Sequence, residues 1–97
     1  MQNENSIQTK ADTFAYITFK MQSIMHTVDN NFYSENMIVE RIYNCVHVCA
    51  KGNLDLIQDG KDGVINAFNR LKNEENLSIL SYDTITSFVK KIDEKVL

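Results

Sequence analysis

Between Ser34 and Gly52 the chain reads SENMIVERIYNCVHVCAKG, and this stretch restricts the possible folds more than any other. At 100° per residue, Glu40, Asn44, His47 and Lys51 gather in one narrow polar stripe. Met37, Ile38, Val39, Ile42, Tyr43, Cys45, Val46, Val48, Cys49 and Ala50 fill most of the rest. A helix apolar over roughly two thirds of its circumference must be covered on several sides. The other segments are therefore expected to be its packing partners. Ser34 is the expected N-cap, with Glu35 in the first turn. Gly52 is the expected left-handed residue at the C-terminal end, with Lys51 at the negative end of the dipole.

The partners read as helices too. The chain has no proline and only three glycines, too little turn chemistry for an all-β fold. Its 97 residues suffice for one core and leave no room for a second domain. The expected fold is all-α, a small bundle of about four helices around the central helix at 34–51. Residues 1–6 are polar and are expected to form a flexible tail, leaving 7–97 as a single helical domain.

In the first segment Ile7, Ala11, Phe14, Ile17, Met21, Ile24, Met25 and Val28 recur at spacings of three and four, predicting a helix over about 8–28 with that stripe inward. Tyr16 and Phe19 then project to the other side and need a second surface to cover them. After the polar link Asp29–Asn31, Phe32 and Tyr33 precede Ser34 and suit a hydrophobic staple. In the third segment Leu54, Ile57, Val64, Phe68 and Leu71 keep helical phase from about 53 to 72, through Gly60 and Gly63. Each mid-helix glycine costs about 1 kcal/mol relative to alanine. Two readings stay open: a break over 59–62, or a continuous helix. The kept phase favours the second, in which Leu56, Gly60, Gly63 and Ala67 form a small-residue strip open to a neighbouring backbone. Beyond the link at 72–76, Leu77–Leu80 reads as an irregular apolar turn. The last helix is expected to start at Ser81 or Asp83 and to bury Ile85, Phe88, Val89, Ile92 and Val96.

The motifs that suggest chemistry fail on geometry. Cys45 and Cys49 lie one helical turn apart with nearly parallel side-chain vectors, which excludes a mutual disulfide in an intact helix. His47 points about 160° from their bisector, so CVHVC cannot close on one metal ion. These cysteines read as reduced core thiols. Residues 55–69 resemble a calcium loop in flavour, but no register puts carboxylates at the ligand positions. No nucleophile with a base and no phosphate-binding glycine loop is present, so neither an enzyme nor a cofactor is expected. The N-terminus has no basic and apolar leader pattern, and no apolar run reaches the ~20 residues a membrane span needs. A cytoplasmic location is the expectation.

Two functional readings remain. The first is a small non-enzymatic protein that binds a protein partner stoichiometrically as regulator, inhibitor or adaptor. It rests on Tyr16, Phe19, Phe32 and Tyr33, aromatic residues of the type that anchors interfaces. Tyr16 and Phe19, with Ala15 beside them, also suggest a two-fold homodimer through that side of the first helix. The second reading takes residues 64–97 as resembling half of a helix-turn-helix, with Ser81, Tyr82, Thr84, Lys90 and Lys91 available to DNA. The net charge of −3, the scattered cations and Asp83 at the would-be DNA-facing tip weigh against nucleic acid.

Overall fold

Ser6 opens the first helix. Its hydroxyl oxygen accepts from the Thr9 backbone N–H at 3.1 Å and its O–H donates to Thr9 Oγ1 at 3.0 Å, satisfying one of the donors a helix start leaves unpaired. The computed structural model describes residues 6–28, 35–74 and 79–96. They form α1 (Ile7–Val28), α2 (Glu35–Ala50), α3 (Leu54–Glu74) and α4 (Ile79–Val96), an all-α bundle with every pair of helices in contact. Ser34, Phe32 and Tyr33 lie outside the described residues, and with them the expected cap and staple.

Between α2 and α3 the chain turns at Lys51 (φ 53°) and Gly52 (φ 80°), two successive left-handed residues. Gly52 is where such a residue was expected; the same conformation at Lys51 is an addition, supported by its N–H donating to the carbonyls of His47 and Val48 at 3.1 and 3.3 Å. Asn53 then caps α3, its Oδ1 accepting from the backbone N–H groups of Asp55 (2.9 Å) and Leu56 (3.2 Å). α3 runs unbroken through both glycines, which settles the open choice in favour of continuity. A Cβ at Gly63 would fall inside the carbonyl oxygen of Gln8 and 3.1 Å from the amide nitrogen of Asp12. A Cβ at Gly60 would meet Val46 Cγ1 of α2 at 2.6 Å. The strip therefore serves two neighbours: α1 approaches backbone to backbone at Gly63, and α2 sets a valine into the gap at Gly60.

That approach decides which side of α1 is buried, and it is not the side the spacing suggests. Ala11, Ala15, Phe19 and Gln22 are buried, whereas Phe14, Ile17, Met21 and Ile24 are exposed. Only small residues fit where α1 lies against the glycine strip, so Ala11 and Ala15 turn inward. Phe19 follows them and packs edge to face on Phe68, ring centroids 5.6 Å apart. Gln22 comes with them and is satisfied by α4: its Nε2 donates to Thr84 Oγ1 at 2.9 Å and its Oε1 accepts from the Ser81 hydroxyl at 3.2 Å. Ser81 is thus not a cap. α4 begins at Ile79 and carries Ser81 inside its first turn, facing the core.

The other faces fall as the periodicity indicates. Ile38, Val39, Ile42, Tyr43, Val46 and Ala50 of α2 are buried, and its Glu40, Asn44 and His47, with Lys51 just after it, are exposed. Met37 and Val48 join the exposed side, and Cys45 and Cys49 are half-buried, so α2 is covered less completely than its composition suggests. On α3, Ile57, Val64, Ala67, Phe68 and Leu71 are buried but Leu54 is not. On α4, Ile85, Phe88 and Ile92 are buried, with Val89 packed beside them. Ion pairs fasten the rims: Arg70 to Asp12 (2.9 Å), Lys91 to Glu40 (2.6 Å) and Lys61 to Asp93 (2.7 Å). Each is partly solvated and contributes about 0–1 kcal/mol, enough to orient helices but not to hold them together.

The two faces of α1 can be told apart by stability. Phe19→Ala is expected to cost about 3–5 kcal/mol, the range for a buried ring. Ile17→Ala should cost about 0.5 kcal/mol or less, as for an exposed position. Urea titration followed by circular dichroism reads both; a larger loss at Ile17 would restore the opposite face to the core. By the same measurement Gly63→Ala, a change that stabilises an exposed helix by about 1 kcal/mol, should here destabilise by about 1–3 kcal/mol because the new methyl meets the α1 backbone.

Candidate functional site

With Ala11, Ala15 and Phe19 turned inward, the larger apolar residues of α1 form a line on its outer surface. Phe14, Ile17, Met21 and Ile24 are 36%, 56%, 41% and 51% exposed, too much for core residues and too aligned for scattered surface ones. Their spacing of three, four and three is the seam of a helix that pairs with another helix. Phe14, Ile17, Thr18 and Met21 stand at i, i+3, i+4 and i+7 and enclose a recess of about 210 Å³, closed on one side by Arg41 of α2. Four residues in that arrangement form the hole that receives one side chain of a facing helix. The recess is local to α1, with Arg41 of α2 in its wall.

The residues expected to form the interface lie elsewhere. Phe19 is fully buried, and Ala15 with it, so the proposed two-fold contact through Tyr16 and Phe19 is unavailable: α3 of the same chain already covers that side. Tyr16 sits at the α1–α3 border. Its hydroxyl donates to Glu74 Oε1 at 2.7 Å, and the Arg70 guanidinium lies 4.3 Å from its ring centroid. Arg70 continues to Asp12, which also accepts from Asn66 Nδ2 at 2.6 Å. This network fastens α1 to α3. Phe32 and Tyr33 lie outside the described residues.

The residues considered for DNA are divided between the core and the surface. Ser81 and Thr84 are fully buried on Gln22 and cannot reach a base edge. Lys91 is paired with Glu40, its ammonium 4.6 Å from the Tyr43 ring centroid. Tyr82 is exposed but leans edge-on against Phe68 at 5.2 Å, and Lys90 is exposed. Two of the five are therefore withdrawn from any surface, by the same buried hydroxyl pair that anchors α4 to α1.

No group of three His, Cys, Asp or Glu side chains among the described residues is arranged to hold a metal ion. Burial, with Cys49 next to it, pushes the Cys45 thiol above its usual range, the opposite of what a reactive cysteine needs. A second apolar depression, of about 340 Å³, lies between α3 and α4 over Ile65, Phe68, Ile85 and Val89; it is shallow and open. No described helix is long and apolar enough to cross a membrane.

The seam was missed because counting apolar residues ranks Phe14, Ile17, Met21 and Ile24 above Ala11 and Ala15. The signal that could have found it is the pairing of two alanines four residues apart on α1 with the glycine strip of α3. No protein-family model matches the chain, and neither a curated protein nor a solved structure matches it significantly.

The Tyr16 contact has a pH signature. Donation to Glu74, then burial and the carboxylate's charge, raise the Tyr16 phenol above the ordinary 10.0. The neutral phenol is the form the fold favours. The contact is therefore intact below pH 10 and is lost as pH rises through the raised value. Spectroscopic titration of tyrosinate should show a component above the usual range that Tyr16→Phe removes and Glu74→Gln moves down; no change with either variant would dissociate the shift from this bond.

Proposed function

We propose that the protein acts without catalysis, by binding another protein along the outer face of α1, and that it works stoichiometrically as a regulator, inhibitor or adaptor. The observation that carries this reading is the exposed line Phe14, Ile17, Met21 and Ile24 around its recess. Apolar side chains of this size stabilise by roughly 1.5–3 kcal/mol each when fully removed from water, and here a substantial part of that remains unused in the folded chain. Residues with flexible thioethers and rings are also those that adapt to a partner surface and anchor it. The absence of a poised nucleophile at Cys45 fits the same reading.

A photo-crosslinking residue placed at Ile17 tests it against one placed at Asn73, an exposed position on α3. In the native host the first should yield a discrete heavier species that a second substitution, Met21→Lys, abolishes without changing helicity. Equal yields from the two positions, or a species indifferent to Met21→Lys, would remove the seam from consideration.

A further inference from the structure

We infer that Cys45 and Cys49 of α2 form a chelating dithiol that binds one copper(I) ion between their sulfur atoms. This goes beyond the α1 seam and stands independently of it.

The helix sets the distance between the two thiols. α2 is continuous from Glu35 to Ala50, so residues 45 and 49 lie one turn apart on the same side of it. Cβ atoms at that separation are about 5–6 Å apart. A disulfide needs them at about 3.5–4.5 Å and would have to unwind the helix. A bridging ion does not: with metal–sulfur bonds of roughly 2.3 Å it spans about 4.6 Å between sulfurs and leaves both backbones in place. The spacing that forbids the covalent bond therefore admits an ion. Cys49 is close enough to act directly on the Cys45 thiol, as bridging requires.

Exposure separates this pair from ordinary filler. Free cysteine is among the most buried residue types, and one that only fills space is closed off by its neighbours. Here both thiols are half-buried. Val46 and Ala50, which follow the two cysteines, are buried, whereas Val48 is 70% exposed. The pair thus sits at the border of core and water, with apolar surface behind it and a path in from solvent.

The donor set selects the ion. The three donors of CVHVC cannot meet on one metal, but two of them can. His47 is turned away and stacks on Tyr43, ring centroids 5.6 Å apart. No group of three possible ligands exists among the described residues, so zinc, which takes four, would be left under-coordinated. Calcium and magnesium require oxygen donors. Soft thiolates select copper(I), a closed-shell ion that two sulfurs satisfy in a near-linear arrangement. Binding breaks two S–H bonds, forms two Cu–S bonds and releases two protons to water. The copper stays monovalent, so no oxidant or reductant takes part.

Titration of the reduced full chain with copper(I), without oxygen and against a chromophoric copper(I) chelator, tests the inference. One ion per chain should bind, with a sulfur-to-copper charge-transfer band that saturates at one equivalent, and should be held against a large excess of glutathione. Cys45→Ser and Cys49→Ser should each weaken binding by about 100-fold or more at wild-type helicity, because either removes one arm of a chelate. His47→Ala should leave it unchanged. X-ray absorption on the wild-type chain, which needs no variant, should show two sulfur neighbours around copper. Loss of the ion to glutathione would mark adventitious thiol affinity only and would overturn the assignment. A serine variant with wild-type affinity, a loss on His47→Ala, or a copper shell other than two sulfurs would overturn it as well. So would a copper-dependent dimer in sedimentation, which would place the ion between chains. None of these results bears on the α1 seam, which crosslinking at Ile17 tests by itself.

Discussion

The bundle depends on one close approach, that of the α3 backbone at Gly63 to the first two turns of α1. A Cβ on α3 at that point would run into the α1 backbone at Gln8 and Asp12, so the contact admits only Gly63 there, and α1 buries the small Ala11 and Ala15 on its inward side. Once α1 is rotated to satisfy it, the positions of all its other residues are set. Phe19 lands on Phe68, Gln22 reaches the hydroxyls of α4, and Phe14, Ile17, Met21 and Ile24 are left facing water. The exposed apolar line on α1 is thus a by-product of how the core closes.

Gln22 supplies what close packing alone does not. Small residues make a contact smooth, and smooth contacts slide. An amide that must find two hydroxyls 59 and 62 residues away permits one register of α1 against α4, since any slip leaves a buried polar group without a partner. Ser23 reinforces this register with a hydroxyl contact of 3.3 Å to Ser81. The rim ion pairs between α1 and α3, α2 and α4, and α3 and α4 agree with the same arrangement.

Much of this architecture was legible in the sequence. The number of helices, the buried faces of α3 and α4, the polar stripe of α2 and the left-handed glycine after it follow from period and capping chemistry, because α3 and α4 each have one plainly more apolar face and α2 has one plainly polar stripe. α1 is different: it has apolar residues all round, and distance, not hydrophobicity, chooses between its faces. The sequence reading recognised the small strip on α3 but did not match it to the alanines on α1, and so assigned Phe19 to an interface and Ile17 to the core. Ser81 misled for a related reason. A hydroxyl before an apolar run resembles a cap, and only the presence of Gln22 across the core shows why it lies within the helix instead.

The outward placement of four large apolar side chains also divides the hydration ledger of the molecule. Burying apolar surface lowers heat capacity, and a chain of given length ordinarily releases most of that change when it folds. Here part of the apolar surface of α1 stays hydrated in the folded state. With the proposed partner bound along α1, the decrement would fall in two separate events, one unimolecular and one bimolecular. Cooling weakens both, so that the temperature at which the chain folds best and the temperature at which that proposed association is strongest would be linked through the same water.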